Sequence, residues 1–127
     1  MEKQTTMSII ELIGDKYIPH FSNNTWGDDI LLMGKDGFSF GRVYWYYDDK
    51  TTIYLNWLSV NDSVRRQGIG TELQKIREEI GRILGATLCC LEVEKDSWMH
   101  DWYKRRGYED LNDDEYDQRL IWMIKSL

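Results

Sequence analysis

The sequence has 127 residues, of which 42% are hydrophobic and 13% aromatic, with one proline, and it predicts one folded domain over residues 1–127 rather than a disordered chain. Its net charge of −6 argues against nucleic-acid binding and favours cationic partners, although a solvated acidic surface explains the charge equally well. The apolar runs are too short to span a bilayer, and the adjacent cysteines Cys89 and Cys90 predict reduced thiols in or near the core, so we expect a cytoplasmic protein that does not enter a membrane.

The first part of the chain predicts a meander of strands. Residues 7–13 are mostly apolar and predict a strand, and an irregular or short helical segment follows to about residue 26. Residues 29–35 and 38–47 predict two strands joined by a turn at Asp36-Gly37, with an irregularity near Gly41.

Helices and strands alternate in the second part of the chain. The predicted elements are a strand at 51–60, a helix that follows a glycine turn and ends at Gly85, a strand at 88–94, a helix from Asp96 or Ser97 to about 106, an acidic loop at 109–117 and a buried strand at 119–125. Strands followed by alternating helices and strands predict a mixed α/β or α+β domain around one sheet.

The glycine turn at residues 64–71 predicts a phosphate-binding site. Gly68 and Gly70 let an anion approach the backbone, and the following helix directs its unpaired N–H groups toward the same place. Residues 65–106 contain nine basic and seven acidic residues, so this segment is the basic part of an acidic chain. The turn lacks the lysine of a nucleotide-triphosphate loop, and Leu73 stands where a dinucleotide fingerprint needs a third glycine.

Residues 65–70, Arg-Arg-Gln-Gly-Ile-Gly, resemble the Arg/Gln-x-x-Gly-x-Gly/Ala signature of the GNAT superfamily of N-acetyltransferases. Four further segments agree in order and spacing, covering with the signature about three-fifths of the chain: 58–60, 91–93, 102–108 and 123–127. The resemblance implies a mixed, mostly antiparallel sheet with splayed middle strands and helices on both faces.

The resemblance also implies acetyl-CoA as the co-substrate. The residues that it assigns to the cofactor are Leu58, Val60, Arg65, Arg66, Gln67, Gly68, Ile69, Gly70 and Thr71. Main-chain N–H groups of residues 66–71 would hold the pyrophosphate, and Arg65 and Arg66 would either add charged contacts or form a solvated surface pair. The N–H of Leu58 would polarise the thioester carbonyl.

Two side chains match catalytic positions of the family. Tyr103 matches the residue whose hydroxyl protonates the departing thiolate, and its alternative role is packing against the sheet. Tyr54 stands where histone-type members carry a glutamate, and Glu92 is the best candidate for the base that accepts the amine proton, because residues 91–93 resemble the strand that carries the glutamate of the ribosomal-protein N-terminal acetyltransferases. A salt-bridged or solvent-facing Glu92 is nearly as good an explanation. No spacing of histidine, cysteine and acidic residues predicts a metal site.

The resemblance implies transfer of acetyl to a primary amine by direct attack in a ternary complex, and the acidic charge favours a cationic acceptor such as a protein lysine, an N-terminus or a polyamine-like molecule. A cofactor-binding module with weak catalysis is the alternative that Tyr54 suggests. The acidic residues 113–120 also resemble small phage-type anti-defence lysine acetyltransferases. A homodimer is compatible with the sequence. His20 and His100 are predicted to be surface residues, and His20 falls in the segment that forms the acceptor side of the site in the family.

Overall fold

The computed structural model describes residues 1–61, 67–111 and 119–127. The elements in those ranges are α1 (Lys3–Ile13), β1 (Tyr17–Asn23), β2 (Gly27–Gly34), β3 (Phe40–Tyr46), β4 (Asp49–Tyr54), β5 (Leu58–Ser59), α2 (Ile69–Leu84), β6 (Leu88–Glu94), α3 (Trp98–Lys104), β7 (Glu109–Asp110) and β8 (Leu120–Ser126). The acidic loop predicted at 109–117 falls largely outside the described residues.

The strands form one sheet in the order β1-β2-β3-β4-β6-β8-β7, and β5 pairs with β3 beyond the end of β4. Neighbouring strands are antiparallel except β4 and β6, which are parallel and are connected through α2. A parallel pair needs such a crossover, whereas the antiparallel pairs need only short turns. The predicted mixed, mostly antiparallel α/β fold is therefore confirmed.

The two N-terminal predictions are wrong. Residues 7–13 belong to helix α1, in which Ile9 and Ile13, four positions apart, face the core while Met7 and Ile10 are exposed. This short apolar run fits a helix as well as a strand, and packing against the core decides between them. The segment predicted to be irregular is β1, an edge strand, where Pro19 is tolerated because one side of the strand needs no ladder hydrogen bonds.

The helices pack on one face of the sheet. A single core cluster joins side chains from all three helices to alternate residues of the central strands: Ile9, Ile13, Leu73, Ile80, Tyr103, Ile53, Leu55, Leu91 and Val93. Strand pairing places Tyr44, Tyr54, Cys90 and Trp122 on the opposite face, which has no helix in the described ranges. The expectation of helices on both faces thus differs from the structure in this one detail, because the three described helices share one core cluster on the other face. We call it the helix-free face.

Gly81 brings α2 close to the sheet. A Cβ at this position would lie 2.5 Å from Ile53 Cδ1 and 2.8 Å from Leu127 Cδ1. We expect Gly81→Ala to lower the free energy of unfolding by about 1–3 kcal/mol because the added methyl group overpacks the core, although alanine is the better helix former. Denaturant unfolding measures the change. Lys75→Ala, at an exposed position of the same helix, is the control, and equal stabilities for the two variants would contradict the prediction.

A buried polar network connects α2 to the last strands. Gln74 Nε2 donates to Glu78 Oε2 and to the Tyr108 hydroxyl, and Lys125 Nζ donates to Glu78 Oε1 at 2.9 Å. Burial alone would raise the pKa of Glu78, but hydrogen bonds from Lys125, Gln74 and Tyr108 together hold this pKa below its ordinary value. The Glu78 side chain is only 9% exposed, so the ion pair is only weakly screened by solvent.

Loss of Lys125 should make the fold more sensitive to acid. Because the pKa of Glu78 is lower in the folded chain, its contribution to stability is present above the unfolded pKa and is lost as the pH falls through the folded pKa. We expect Lys125→Met to raise the midpoint pH of acid unfolding and to cost about 1.5–3 kcal/mol at neutral pH. Lys104→Met, which removes an exposed pair with Asp110, should cost less than about 1 kcal/mol. Identical acid transitions for the two variants would contradict the expectation.

Candidate active site

A bulge interrupts the strand opposite β3. Tyr44 pairs with Tyr54 and Gly41 pairs with Leu58, so three residue steps on β3 face four on the other strand. The extra residue gives Trp57 a φ of 73°, which is unusual for a residue with a side chain. The predicted strand 51–60 is thereby divided into β4 and β5. We call residues 55–57 the break.

The break is also where β6 leaves its neighbour. Parallel pairing ends at Tyr54 and Cys90, and one further bond follows, from the Leu55 N–H to the Cys90 carbonyl at 2.9 Å. The N–H of Glu92 then donates to the Asn56 side-chain Oδ1 at 2.9 Å instead of to a strand carbonyl. A side chain thus spans a gap that backbone no longer bridges, which is the splaying expected of the middle strands.

The N–H of Leu58 points toward this gap. The Arg42 N–H donates to the Trp57 carbonyl at 3.1 Å, and this bond makes Gly41 and Leu58 a non-hydrogen-bonded pair of the antiparallel ladder. In such a pair the N–H and C=O groups of both residues point away from the facing strand. The Leu58 N–H is therefore directed away from β3 and can meet a ligand between the splayed strands.

A cleft of about 480 Å³ lies beside the gap. Its lining comes from β5, the start of α2 and one side of α3: Leu58, Ser59, Val60, Gly68, Ile69, Gly70, Thr71, Trp98, Met99 and Trp102. Six of the predicted cofactor residues thus lie together in one cavity. Gln67 adjoins it in sequence without lining it, and Arg65 and Arg66 lie outside the described residues.

The start of α2 leaves main chain open to an anion. Gly68, the N-cap residue, has a φ of 78° and no side chain of its own to cap the helix, and among the described residues a Cβ on Gly68 would meet nothing within 4 Å. A Cβ on Gly70 would lie 3.5 Å from Val60 and 3.6 Å from Trp102, so a larger side chain there would fill the cleft. The first N–H groups of a helix lack intrahelical partners and carry its positive dipole end. These residues therefore fit a pyrophosphate.

Arg106 adds positive charge at the same end of the cleft. Its Nη2 donates to Thr71 Oγ1 at 3.0 Å, and its guanidinium carbon lies 3.5 Å from the centre of the Trp102 ring. Burial lowers the pKa of Arg106, with a smaller contribution from neighbouring Arg105. Our sequence reasoning missed this residue, although it stands in the basic run that precedes Gly107.

Tyr103 lies beneath the break rather than in the cleft lining. Its side chain is 2% exposed, and its hydroxyl accepts a hydrogen bond from Arg77 Nη2 at 2.9 Å. Arg77 in turn bonds to the Leu55 carbonyl at the break. The phenol is therefore near the gap between the splayed strands, on the side where the helices pack.

Glu92 lies on the helix-free face, across the sheet from Tyr103. Its register partner is Trp122, and its N–H is held by Asn56, whose Nδ2 donates to the Tyr44 hydroxyl at 3.0 Å. Tyr44 and Tyr54 stack beside it with ring centroids 5.1 Å apart. Glu92 and Tyr103 thus approach the gap from opposite faces of the sheet.

A second cavity of about 480 Å³ lies on the helix-free face. It is lined by His20, Ser22, Asp29, Leu31, Met33, Phe40, Arg42 and Trp57. Trp57 lines this cavity and the next residue, Leu58, lines the cleft beside α2, so the break lies between the two. His20 is exposed within it, as predicted.

Residues 27–110 match the family profile described as "Acetyltransferase (GNAT) domain", which is well over half of the chain. The chain belongs to the GNAT acetyltransferase family. No curated protein matches the sequence. The matched GNAT segment contains both the cofactor cleft and the break.

Solved structures share the GNAT fold over most of the chain. An acetyltransferase from Streptococcus agalactiae matches with a TM-score of 0.64 and 18% identity, over 99% of this chain and 79% of its own. The PaiA N-acetyltransferase from Thermoplasma acidophilum, in complex with coenzyme A, matches with a TM-score of 0.62 and 17% identity, over 78% and 60%. A GNAT acetyltransferase from Elizabethkingia anophelis, with acetyl-CoA bound, matches with a TM-score of 0.60 and 14% identity, over 90% and 100%. At these identities the likeness establishes the fold.

Other sequence predictions about this GNAT domain have mixed outcomes. The prediction that His100 lies at the surface is wrong. This residue is 4% exposed, its Nδ1 accepts a hydrogen bond from the Asp96 N–H, and its Nε2 lies 2.7 Å from Asp110 Oδ1. Cys89 and Cys90 are free and buried, and burial raises the pKa of Cys89 to about 12. Among the described residues no cluster of histidine, cysteine and acidic side chains is arranged to hold a metal ion. None of the helices in those ranges combines the length and apolar character needed to cross a bilayer.

Proposed function

We propose that residues 1–127 act as one acetyltransferase domain that transfers the acetyl group of acetyl-CoA to a primary amine of a cationic acceptor. The observation that carries this proposal is the cleft between β5, α2 and α3, which gathers six of the nine residues expected to contact the cofactor. The family membership and the coenzyme A bound to two GNAT structures of the same fold support acetyl-CoA as the co-substrate.

On this proposal the chain holds the donor by its main chain. The N–H groups at the start of α2 bind the pyrophosphate, and Arg106, which stacks on Trp102 and donates to Thr71 of the cleft lining, adds positive charge beside them. The acetyl-CoA thioester supplies an activated acyl group, and the N–H of Leu58, directed into the gap, stabilises negative charge on the carbonyl oxygen. Val60 and the apolar side of α3 exclude water around it.

The acceptor amine approaches from the helix-free face. Glu92 accepts a proton from the amine, directly or through water, the neutral nitrogen attacks the carbonyl carbon, and the C–S bond breaks. Tyr103, from the other side of the sheet, donates its hydroxyl proton to the departing thiolate and regains a proton from solvent. The division of these two groups between opposite faces supports direct attack in a ternary complex, because donor and acceptor can be present together.

The helix-free face favours a cationic acceptor. Glu92 and Glu94 alternate along β6 on this face, and the charge of Arg42 is offset by Asp29, whose Oδ2 lies 2.7 Å from Arg42 Nε. The stacked rings of Tyr44 and Tyr54 belong to the same face, and the Arg42 guanidinium carbon already lies 4.6 Å from the Tyr44 ring centre, so this aromatic cluster accommodates a cation. A lysine side chain or a polyamine satisfies both features.

The test is to incubate the protein with acetyl-CoA and a panel of amines while the release of free thiol is followed. The panel contains a lysine peptide, a peptide with a free N-terminus, spermidine and an aminoglycoside. The control for each compound is its acetylated form, in which no free amine remains. Calorimetric titration with coenzyme A reports donor binding separately. Tight coenzyme A binding without thiol release above the control for any amine would contradict the proposal.

Glu92→Gln should slow the reaction most at low pH. We expect the substitution to lower kcat/KM for the amine by about 10–100-fold at neutral pH, because the amide accepts no proton, and the rate should recover as the pH approaches the pKa of the amine. Glu94→Gln, two residues along the same strand face, is the matched control. Parallel pH profiles for wild type and Glu92→Gln would contradict the role of Glu92 as base.

The burial of Tyr103 favours a second candidate function, an acyl-CoA-binding module with weak catalysis. The residue is 2% exposed and its hydroxyl already accepts a hydrogen bond from Arg77, so binding of the cofactor must bring the thiol to the hydroxyl. This candidate predicts coenzyme A affinity without acceptor turnover. A phage-type enzyme that acetylates a lysine of a nuclease is the candidate that residues 113–120 suggest, and these residues lie mostly outside the described ranges. Intact-mass analysis of a candidate nuclease after incubation, with one acetyl increment as the expected result, would test it.

A further inference from the structure

Arg77 is a buried cation in the middle of α2. Its side chain is 0% exposed, and the spacing from Leu73 and to Ile80 places it on the stripe of the helix that faces the sheet. Burial of a charge is costly unless bonds compensate for it. Within the described residues its hydrogen bonds go to uncharged oxygens and its Nε has no hydrogen-bond partner, so the guanidinium forms no ion pair there.

The guanidinium joins the break to Tyr103. Nη1 donates to the carbonyls of Leu55 and Arg42, at 2.6 and 3.1 Å, and Nη2 donates to the hydroxyl of Tyr103 and to the side-chain oxygen of Gln74. In an uninterrupted ladder the Arg42 carbonyl would accept from the N–H of the facing strand. At the bulge the arginine supplies that donor instead.

Gly41 makes room for this side chain. A Cβ on Gly41 would lie 3.2 Å from Arg77 Cδ and 3.4 Å from Nε, tighter than most side-chain contacts. The glycine of β3, the bulge and the arginine of α2 therefore form one local arrangement. Sequence reasoning missed it, although an arginine among the regularly spaced apolar residues of the helix is a detectable signal.

We propose that Arg77 is a positioning residue for acetyl transfer: anchored at the break by its bonds to the Leu55 and Arg42 carbonyls, it holds the oxygen of Tyr103 so that the phenolic proton points away from the guanidinium. This inference rests on the proposed function. An oxygen that accepts from Arg77 can donate its single proton only in another direction, and no acceptor for that proton occurs among the described residues. The proton is therefore available to a leaving thiolate.

A double-mutant cycle on the full chain tests the proposal, with the best amine of the panel as acceptor. We expect Arg77→Met and Tyr103→Phe each to lower kcat by about tenfold or more, and Arg77→Met to add less than about threefold when Tyr103 is already phenylalanine. Arg77→Lys, which retains a donor, should recover part of kcat. The KM for acetyl-CoA should change by less than about threefold throughout, because Arg77 does not line the cleft.

Arg82→Met, on the exposed side of the same helix, is the control and should keep wild-type kcat. Losses that multiply fully in the double variant would overturn the positioning role, as would a fall in kcat for Arg77→Lys equal to that for Arg77→Met. If Arg77→Met does not fold, judged by circular dichroism, the cycle of Arg77→Lys with Tyr103→Phe decides in the same way. A wild-type protein that binds coenzyme A but acetylates no amine contradicts the proposed function and this inference together, whereas an active wild type with additive variants contradicts this inference alone.

Discussion

Tyr103→Phe is expected to lower kcat by about 10²–10³-fold while the affinity for coenzyme A stays within about threefold of wild type. The phenol is the acid that we place nearest the splayed strands, and a thiolate that leaves without a proton is a high-energy product. Steady-state thiol release measures kcat, and calorimetric titration measures the affinity. The effect should be greatest with amines of low basicity, for which reversal of the attack competes with departure of the thiolate.

Tyr108→Phe is the matched control for this change. It also removes a buried phenol in the same layer of the core, and its hydroxyl bonds to Gln74 and Glu78. Both variants should lose about 1 kcal/mol of stability, but only Tyr103→Phe should lose most of its rate. Equal losses of kcat in the two variants would indicate that Tyr103 acts by packing, and unchanged kcat in Tyr103→Phe would remove it as the acid.

Gly70→Leu is expected to weaken coenzyme A binding by more than about tenfold, which corresponds to about 1.4 kcal/mol. A Cβ at this position would already contact Val60 and Trp102, so the rest of a leucine side chain would extend into the cleft. The position is in the first turn of α2, where leucine is a good helix former, so the fold should persist. Calorimetric titration with coenzyme A and thermal unfolding measure the two properties.

Gly70→Ala provides the comparison. Its methyl group would sit at ordinary van der Waals distances, 3.5 and 3.6 Å from the neighbouring side chains, and the N–H groups would remain open. We expect a loss of affinity below about threefold for this variant. If leucine and alanine bind coenzyme A equally well, the cofactor does not pass this part of α2.

The grouping of the cleft residues could be predicted from sequence because it depends on local chemistry. The turn at Gly68 and Gly70 must lie at a helix start, and its use of main-chain donors requires no knowledge of distant residues. Strand 88–94 and the helix ending at Gly85 were likewise predictable, since Gly85 adopts a positive φ of 84° at the helix end. The fold class followed from the order of these elements.

The break and its contacts could not be predicted because they depend on packing. Nothing in residues 51–60 indicates where the strand bulges, and Trp57 is an unexpected residue for a positive φ. Arg77 and Asn56 gain their roles only when α2 crosses from β4 to β6 and brings them to the gap. The helix at residues 3–13 was missed for a related reason, since a run with two inward isoleucines is ambiguous until the core that covers it is known.

Because the helices cover one face of the sheet, substitutions on the helix-free face and substitutions in the core beneath the helices should have different effects on stability. Side chains such as Tyr44 and Trp122 on the uncovered side of the sheet support little of the hydrophobic core, so replacing them risks less stability than replacing their strand neighbours. On the proposed function, the choice of amine can therefore change while the residues proposed to hold acetyl-CoA, between the sheet and its helices, stay intact. In a library of variants confined to the helix-free face, most variants should fold, and some should show an altered preference for the acceptor.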